Sequence, residues 1–72
     1  MTDRQQTIYA GLIRLHSLAR GPGHLFSTDR IAEVTGIHRR STHNDLQVLI
    51  GLERVRVVRG DGKRFYGARD YR

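Results

Sequence analysis

The fold is decided by the stretch from Ile31 to Leu49, which reads IAEVTGIHRRSTHNDLQVL. Gly36 divides this stretch, because glycine readily adopts the positive φ that a tight turn between two helices requires. Leu46 and Leu49 follow at a helical spacing and are expected to anchor the second helix to a core. The stretch therefore predicts two short helices joined by a tight turn.

A longer helix is predicted upstream, over residues 4–19. Its apolar face is formed by Ile8, Leu12, Leu15 and Ala19. Thr2 or Asp3 is expected to cap its start, and Arg20–Gly23 to end it, with a glycine as the left-handed cap. Ser27 is the expected N-cap of the next helix, which ends near Thr35, and residues 24–26 leave room only for a strand stub.

The helix after the turn is predicted to run from Arg39 or Arg40 to Glu53. Its expected inward residues are Thr42, Leu46, Leu49, Ile50 and Leu52. The pattern then becomes strand-like, around a segment rich in Gly and Asp. The strand segments are Val55–Val58 and Phe65–Ala68, with the turn at Arg59–Lys63. Such a pattern predicts a β-hairpin, in which one of Phe65 and Tyr66 is core and the other partly exposed.

The order of these elements predicts a mainly α fold with a small β-hairpin, a winged helix-turn-helix of three helices plus a wing. With 72 residues, we expect one domain over 1–72, with the helix-turn-helix at about 27–53 and the wing at about 55–68. The chain has no cysteine, which excludes disulfides and thiolate metal sites. It has no signal-peptide pattern and no run of about 18 apolar residues, so a cytoplasmic, nucleoid-associated protein without membrane contact is expected.

The charge is strongly basic and unevenly spread. The chain carries 13 Lys and Arg against 7 Asp and Glu, a net charge of +6. Residues 1–37 hold four basic and three acidic residues, whereas residues 38–72 hold nine and four. All the basic residues except Lys63 are arginines, which form forked hydrogen bonds with phosphates and guanine edges. The basic half indicates a polyanion as partner, and a merely basic surface is the alternative.

The third helix is expected to present its polar N-terminal half to solvent. At roughly 100° per residue, Asn44 lies about 160° from Leu46 around the helix, and Arg40 about 120°. These side chains suit the major groove, where arginine pairs with guanine and asparagine or glutamine with adenine. The expected base contacts are Arg40, Ser41, His43, Asn44 and Gln47. An ordinary solvated helix face is the alternative interpretation.

The wing and the start of the third helix are expected to contact the DNA backbone. The expected backbone contacts are His38, Arg39, Arg56, Arg59, Lys63 and Arg64. Gly60 and Gly62 would allow the wing a close approach to a surface, and the alternative for the wing is a charged edge that prevents aggregation. Asp45 would repel DNA, and we therefore expect it to turn aside and pair with Arg14 or Arg39.

Residues 31–49 resemble the N-terminal DNA-binding domain of DeoR-type regulators and of the related domains that precede WYL modules. Those domains read I-A-x-x-x-G-V-S-x-R-T-x-x-x-D-L-x-x-L. The residues in register are Ile31, Ala32, Gly36, Arg40, Asp45, Leu46 and Leu49. IclR-type regulators are similar to a lesser degree. The resemblance covers about residues 27–68 and implies DNA contacts by Arg39, Arg40, Ser41, His43 and Asn44. His38 and Thr42 depart from the pattern.

We therefore predict a sequence-specific double-stranded DNA-binding protein, a small transcriptional regulator such as a repressor, that binds as a homodimer on a repeated or palindromic site. Tyr9, Ile13 and His16 widen the apolar face of the first helix, which favours a central helix packed on two sides; a dimer contact through these residues, or at Val48 with the wing, is the alternative. The four histidines match no metal-binding or catalytic spacing, so we expect no enzyme, cofactor, metal or small-molecule substrate. The alternative function is a protein-binding winged helix that acts as an inhibitor or assembly subunit.

Overall fold

The computed structural model describes residues 1–20 and 23–69. Within them lie three helices followed by one antiparallel hairpin. The elements are α1 (Asp3–Ala19), α2 (Thr28–Thr35), α3 (Arg39–Gly51), β1 (Val55–Gly60) and β2 (Lys63–Ala68). The predicted fold class, mainly helical with a small hairpin in the order of a winged helix, is confirmed. No helix in the described part of the chain combines the length and apolar character needed to cross a membrane.

The start of α1 is capped as predicted, and its end differs from the prediction. The Thr2 hydroxyl accepts a hydrogen bond from the Gln5 amide at 3.2 Å, and the Gln5 side chain accepts one from the Thr2 amide at 3.0 Å. At the other end, Arg20 rather than a glycine takes the left-handed conformation, with φ of 60°. The Arg20 N–H donates to the carbonyls of His16 and Ser17, which offsets the cost of that conformation. Gly21 and Pro22 lie outside the described residues.

The cap of α2 and the turn that follows α2 are formed by the residues that the sequence indicated. The Ser27 hydroxyl accepts a hydrogen bond from the Arg30 amide at 3.1 Å. Gly36 has φ of +72°, and its amide donates to the Ala32 carbonyl at 2.9 Å. The positive φ at Gly36 ends α2 and turns the chain toward α3, as expected.

α3 begins as predicted and ends two residues earlier. His38 caps it, because the imidazole Nδ1 accepts a hydrogen bond from the Arg40 amide at 3.1 Å. The helix ends at Gly51 because Glu53 turns with φ of 60° toward the first strand. Leu52 is past the last helical turn and is 51% exposed, so the expectation that it faces inward is wrong.

The hairpin is longer and its turn tighter than the sequence indicated. Pairing runs from Val55 opposite Ala68 to Gly60 opposite Lys63. Only Asp61 and Gly62 connect the strands, with φ of 51° and 76°. Positive φ at both positions is typical of the type I′ turn, whose twist matches that of the strands. The predicted five-residue turn is therefore a two-residue turn, with strands that continue to its edges.

One core joins the helices to the hairpin. Its buried apolar residues are Ile8, Leu12, Leu15, Ile31, Leu46, Leu49, Val55, Tyr66 and Ala68. Tyr66 is buried and Phe65 half-buried, as the alternation predicts. Phe26 forms the expected strand stub, since its backbone exchanges hydrogen bonds of 2.9 and 2.8 Å with Tyr66. α1 and α2 approach closely at Gly11, where an added Cβ would lie 2.5 Å from Thr35 Cγ2.

Two polar side chains in the interior, His16 and Asp45, connect distant parts of the chain. His16 is fully buried, and its Nε2 accepts a hydrogen bond from the Ala68 amide at 2.9 Å. Its ring meets Phe26 edge-on at 5.2 Å. Because His16 is in the core, the interpretation of α1 as a central helix is confirmed at this residue, and the alternative of a dimer contact through His16 is wrong.

Asp45 pairs with an arginine that the sequence did not indicate. It is only 4% exposed and accepts two hydrogen bonds from the Arg4 guanidinium, one to each carboxylate oxygen. The hydrogen bond from Arg4 lowers the pKa of Asp45, burial opposes this, and the charge of Arg4 with a hydrogen bond from Gln5 adds to it. The expected pairing with Arg14 or Arg39 is wrong, because Asp45 lies on the inward side of α3, toward the start of α1.

Candidate nucleic-acid interface

The N-terminal half of α3 presents the side chains that the helical geometry predicted. Arg40, Asn44 and Gln47 are exposed, whereas Ser41 and His43 are half-buried. The inward residues Thr42, Leu46 and Leu49 are buried. Since the inward residues fix the rotation of the helix, the polar residues between them point away from the core. The structure thus brings all five predicted base-contacting residues to one side of α3.

The wing tip places basic side chains directly opposite each other. Arg59 pairs with Arg64 in the hairpin register, one position before Gly60 pairs with Lys63. All three basic side chains are exposed. Like charges directly opposite each other on two strands destabilise a hairpin. A bound polyanion would relieve this repulsion, and a charged edge that prevents aggregation is the structural alternative.

A groove separates the wing tip from the starts of α2 and α3. We call it the wing groove, and its volume is about 580 Å³. It is lined by Ser27, Thr28, Asp29, Arg39, His43, Gly62, Lys63, Arg64, Phe65 and Tyr66. The wing groove therefore combines predicted residues from α3 with predicted residues from the wing, although the two segments are about 20 positions apart in the sequence.

A smaller depression of about 430 Å³ continues the wing groove along the start of α3. It is lined by Thr28, His38, Arg39, Arg40 and His43. Thr28, Arg39 and His43 line both. The surface from the wing tip to Arg40 is therefore continuous, and it is predominantly basic.

Sequence reasoning missed the contribution of α2 to this surface. Asp29, in the first turn of α2, lines the wing groove and forms an ion pair with Arg39, whose Nε lies 2.7 Å from Asp29 Oδ1. Both side chains are largely exposed. The sequence placed Asp29 at the positive end of α2 but gave no signal for its partner, because the contact depends on how α2 and α3 cross.

Arg56 lies apart from the other predicted backbone contacts. It pairs with Gly67 at the base of the hairpin, roughly 13 Å along the strand from the tip at about 3.3 Å per residue. A Cβ added at Gly67 would lie 3.1 Å from Arg56 Nε and 2.9 Å from Leu25 Cδ2. The structure thus packs the Arg56 side chain over Gly67 beside Leu25, and it does not line the wing groove.

No family model matches the chain, and no curated protein matches it either. A solved structure does match, that of human N-acetylserotonin methyltransferase in complex with SAM, with a TM-score of 0.65 and 23% identity. The match covers 92% of this chain and 19% of the enzyme, so the chain spans about one fifth of the length of the methyltransferase. At this level of identity, the likeness shows the fold alone.

This comparison corrects two of the sequence-based expectations. The resemblance to DeoR-type, WYL-associated and IclR-type regulators is wrong as an assignment, because the structure that matches is that of a methyltransferase and not of a DNA-binding regulator. Residues such as Ile31, Gly36 and Leu46 are required by packing and turn geometry, and they mark a fold that unrelated families share. The expectation that the chain is not an enzyme is contradicted by the same match. Histidine spacing alone could not support that exclusion.

Proposed function

We propose that the chain is a sequence-specific double-stranded DNA-binding protein that acts as a small transcriptional regulator. The observation that carries the proposal is the continuous surface formed by the polar face of α3, the wing groove and the basic wing tip. Its excess of arginine fits the phosphates and guanine edges of a duplex. The proposal places the protein with the nucleoid, in the cytoplasm.

The exposed residues of α3 would read the major groove. Arg40 has the donors to pair with guanine, and Asn44 and Gln47 have the donor and acceptor pair that matches adenine. Ser41 and His43 are half-buried beside them and would add shorter contacts. A helix that enters the major groove places its N-terminal residues on base edges, which is the half of α3 that carries these side chains.

The wing tip would hold the sugar-phosphate backbone. Arg59, Lys63 and Arg64 are exposed, and the tight Asp61-Gly62 turn keeps the tip narrow enough for a close approach. His38 and Arg39 lie at the start of α3, where the positive end of the helix also favours a phosphate. Because one copy covers few base pairs, we propose that two copies bind a repeated or palindromic site, as a repressor would.

The test is fluorescence anisotropy with duplex DNA, single-stranded DNA and duplex RNA at two salt concentrations, followed by selection of a preferred duplex site. We expect steeply salt-dependent binding that favours duplex DNA. Replacing Arg40 or Asn44 by Ala should cost about 1–3 kcal/mol on the selected site and relax its sequence preference. Arg14→Ala, which removes an exposed arginine from α1, is the matched control and should leave the preference unchanged.

Substitutions in the wing distinguish backbone contacts from base contacts. Arg59→Ala or Lys63→Ala should weaken binding to all sequences alike and reduce the slope of log affinity against log salt by about one. If Arg40→Ala and Asn44→Ala also weakened all sequences alike, α3 would not read bases. An absence of duplex binding at low salt would overturn the proposal and favour a protein-binding winged helix.

A second candidate is a role within a SAM-dependent methyltransferase, and the observation that favours it is the fold likeness to such an enzyme. Because the chain spans 19% of that enzyme, it would correspond to a part of it. Isothermal calorimetry of the chain with SAM tests this directly. Stoichiometric binding would support the second candidate, and the absence of heat at millimolar SAM would count against binding of SAM by the chain itself.

A further inference from the structure

One acidic side chain lies in the otherwise basic wing groove. Among the described residues that line this groove, Asp29 is the acidic one. The arginines and lysines that line the groove with it are Arg39, Lys63 and Arg64. Its carboxylate forms the ion pair with Arg39, at 2.7 Å from Asp29 Oδ1 to Arg39 Nε. Asp29 thus occupies the arginine that α3 would otherwise offer to a phosphate at this point of the surface.

The Asp29–Arg39 pair is suited to exchange with an external anion. The two side chains are 70% and 72% exposed, and solvent-exposed ion pairs of this kind are weak. A DNA phosphate presents the same type of charged oxygen acceptor to a guanidinium as a carboxylate does. Asp29 and a phosphate would therefore compete for Arg39, and the outcome would depend on the number of contacts that the DNA makes elsewhere.

The fold keeps Asp29 in this competing position. The Ser27 hydroxyl, which accepts the Arg30 amide, fixes the first turn of α2. Asp29 belongs to this turn, where the positive end of the helix favours its charge. His38 fixes the start of α3 in the same way, so both partners sit on capped helix starts that line the same side of the wing groove. The pair is thus held in place by the same local structure that forms the surface.

We propose that Asp29 is an internal competitor of DNA phosphate for Arg39, and that it lowers the affinity of the protein for duplex DNA of any sequence. This inference rests on the proposed function. Asp29 contributes no base contact, so its effect falls on the electrostatic, sequence-independent part of binding. With that part reduced, the contacts of α3 with base edges make up a larger share of the total affinity.

The experiment compares Asp29→Asn with a matched control, Glu33→Gln, by anisotropy on random duplex DNA. Glu33 forms an exposed ion pair with Arg30 at 2.9 Å on the same helix, outside the wing groove. Both substitutions remove one negative charge and release one arginine. We expect Asp29→Asn to tighten binding about three- to tenfold at low salt, and to steepen the slope of log affinity against log salt by about 0.9. Glu33→Gln should change binding less than twofold.

The double variant Asp29→Asn with Arg39→Ala shows whether the gain passes through Arg39. If the two groups compete as proposed, Asp29→Asn should give no gain in the Arg39→Ala background, and Arg39→Ala should weaken binding less in the wild type than in Asp29→Asn. A gain that survives in the double variant would mean that Asp29 only repels DNA, and it would overturn the proposal. Thermal unfolding of each variant verifies that the affinities refer to folded protein.

The remaining outcomes separate this inference from the proposed function. If the wild type and every variant fail to bind duplex DNA, the proposed function fails. If the wild type binds and Asp29→Asn behaves like Glu33→Gln, the function stands and the competition is wrong. Weaker binding by Asp29→Asn would mean that Asp29 positions Arg39 for DNA, which also contradicts the proposal.

Discussion

The local caps of the helix-turn-helix segment and the long-range polar contacts made from α1 are two different kinds of contact. In the segment from Ser27 to Gly51, the caps Ser27 and His38 each accept a hydrogen bond from a backbone amide two or three residues away. In α1, by contrast, Arg4 reaches Asp45 across 41 residues, and His16 reaches Ala68 across 52. The first kind of contact forms a turn, and the second joins the helices and the hairpin into one core.

This difference separates contacts that a short peptide could form from contacts that require the whole fold. A cap lowers the free energy of its own helix and changes little elsewhere. A buried polar side chain with a distant partner leaves that partner unsatisfied when it is removed, and the cost falls on the whole domain. Substitutions in the two regions should therefore differ in size and in their dependence on pH.

The largest expected effect is at His16. His16→Ala removes a fully buried ring and leaves the Ala68 amide without the hydrogen bond at 2.9 Å. We expect a loss of about 2–5 kcal/mol in the free energy of unfolding, from the cavity and the unsatisfied donor together. Urea denaturation followed by circular dichroism measures it. Leu18→Ala, at a residue 67% exposed on the same helix, is the control and should stay within about 0.5 kcal/mol of wild type.

The next effect is a dependence of stability on acid pH through Asp45. Its pKa is lowered in the fold, chiefly by the hydrogen bond from Arg4, so the carboxylate stabilises the fold fully above its unfolded pKa of 3.8. That stability is lost as the pH falls through the lower, folded pKa, because the unfolded chain takes up the proton first. Urea denaturation between pH 2 and pH 6 should show the loss in the wild type.

The matched variant for this experiment is Asp45→Asn, which keeps the shape of the side chain and removes its charge. It should be less stable than the wild type at neutral pH, and its stability should fall less between pH 5 and pH 2 than that of the wild type. An equal decline in both proteins would show that Asp45 does not carry the acid sensitivity.

The smallest expected effect is at a local cap. Ser27→Ala removes the acceptor for the Arg30 amide and should cost about 1 kcal/mol of stability, with no change in its dependence on acid pH. Ser17→Ala, at an exposed position within α1, is the control for loss of a hydroxyl without loss of a cap. A cost at Ser27 as large as that at His16 would contradict the distinction between local and long-range contacts.

Sequence reasoning succeeded where neighbours along the chain set the structure. Gly36, Ser27 and the change of period at Val55 are local signals, and each predicted an element that the structure contains. Sequence reasoning failed at the ends of α1 and α3, where the residue that turns the chain was not one that the local pattern indicated. Arg20 took the left-handed cap expected of a glycine, and Glu53 ended α3 early by a turn that no glycine marked.

The candidate interface was only partly accessible from sequence. The rotation of α3 followed from Leu46 and Leu49, so the side of the helix that carries the five polar residues could be predicted. Which basic residues of the hairpin lie at the wing tip and which at its base could not be predicted, because this depends on the strand register. Arg64 falls opposite Arg59 at the wing tip, whereas Arg56 falls at the base over Gly67. The register of a hairpin is fixed by the type and length of its turn together with the buried face, and the sequence had indicated a five-residue turn.

The sequence by itself determined the order of the elements, the cap of α2, the apolar faces and the excess of positive charge, because each depends on residues within a few positions of one another. Only the tertiary structure decided that Asp45 pairs with Arg4, that His16 accepts the Ala68 amide, and that Asp29 meets Arg39 beside the wing groove. Those pairings depend on how the helices cross and on which polar groups come within about 3 Å of each other. Such distances exist only after the chain has folded.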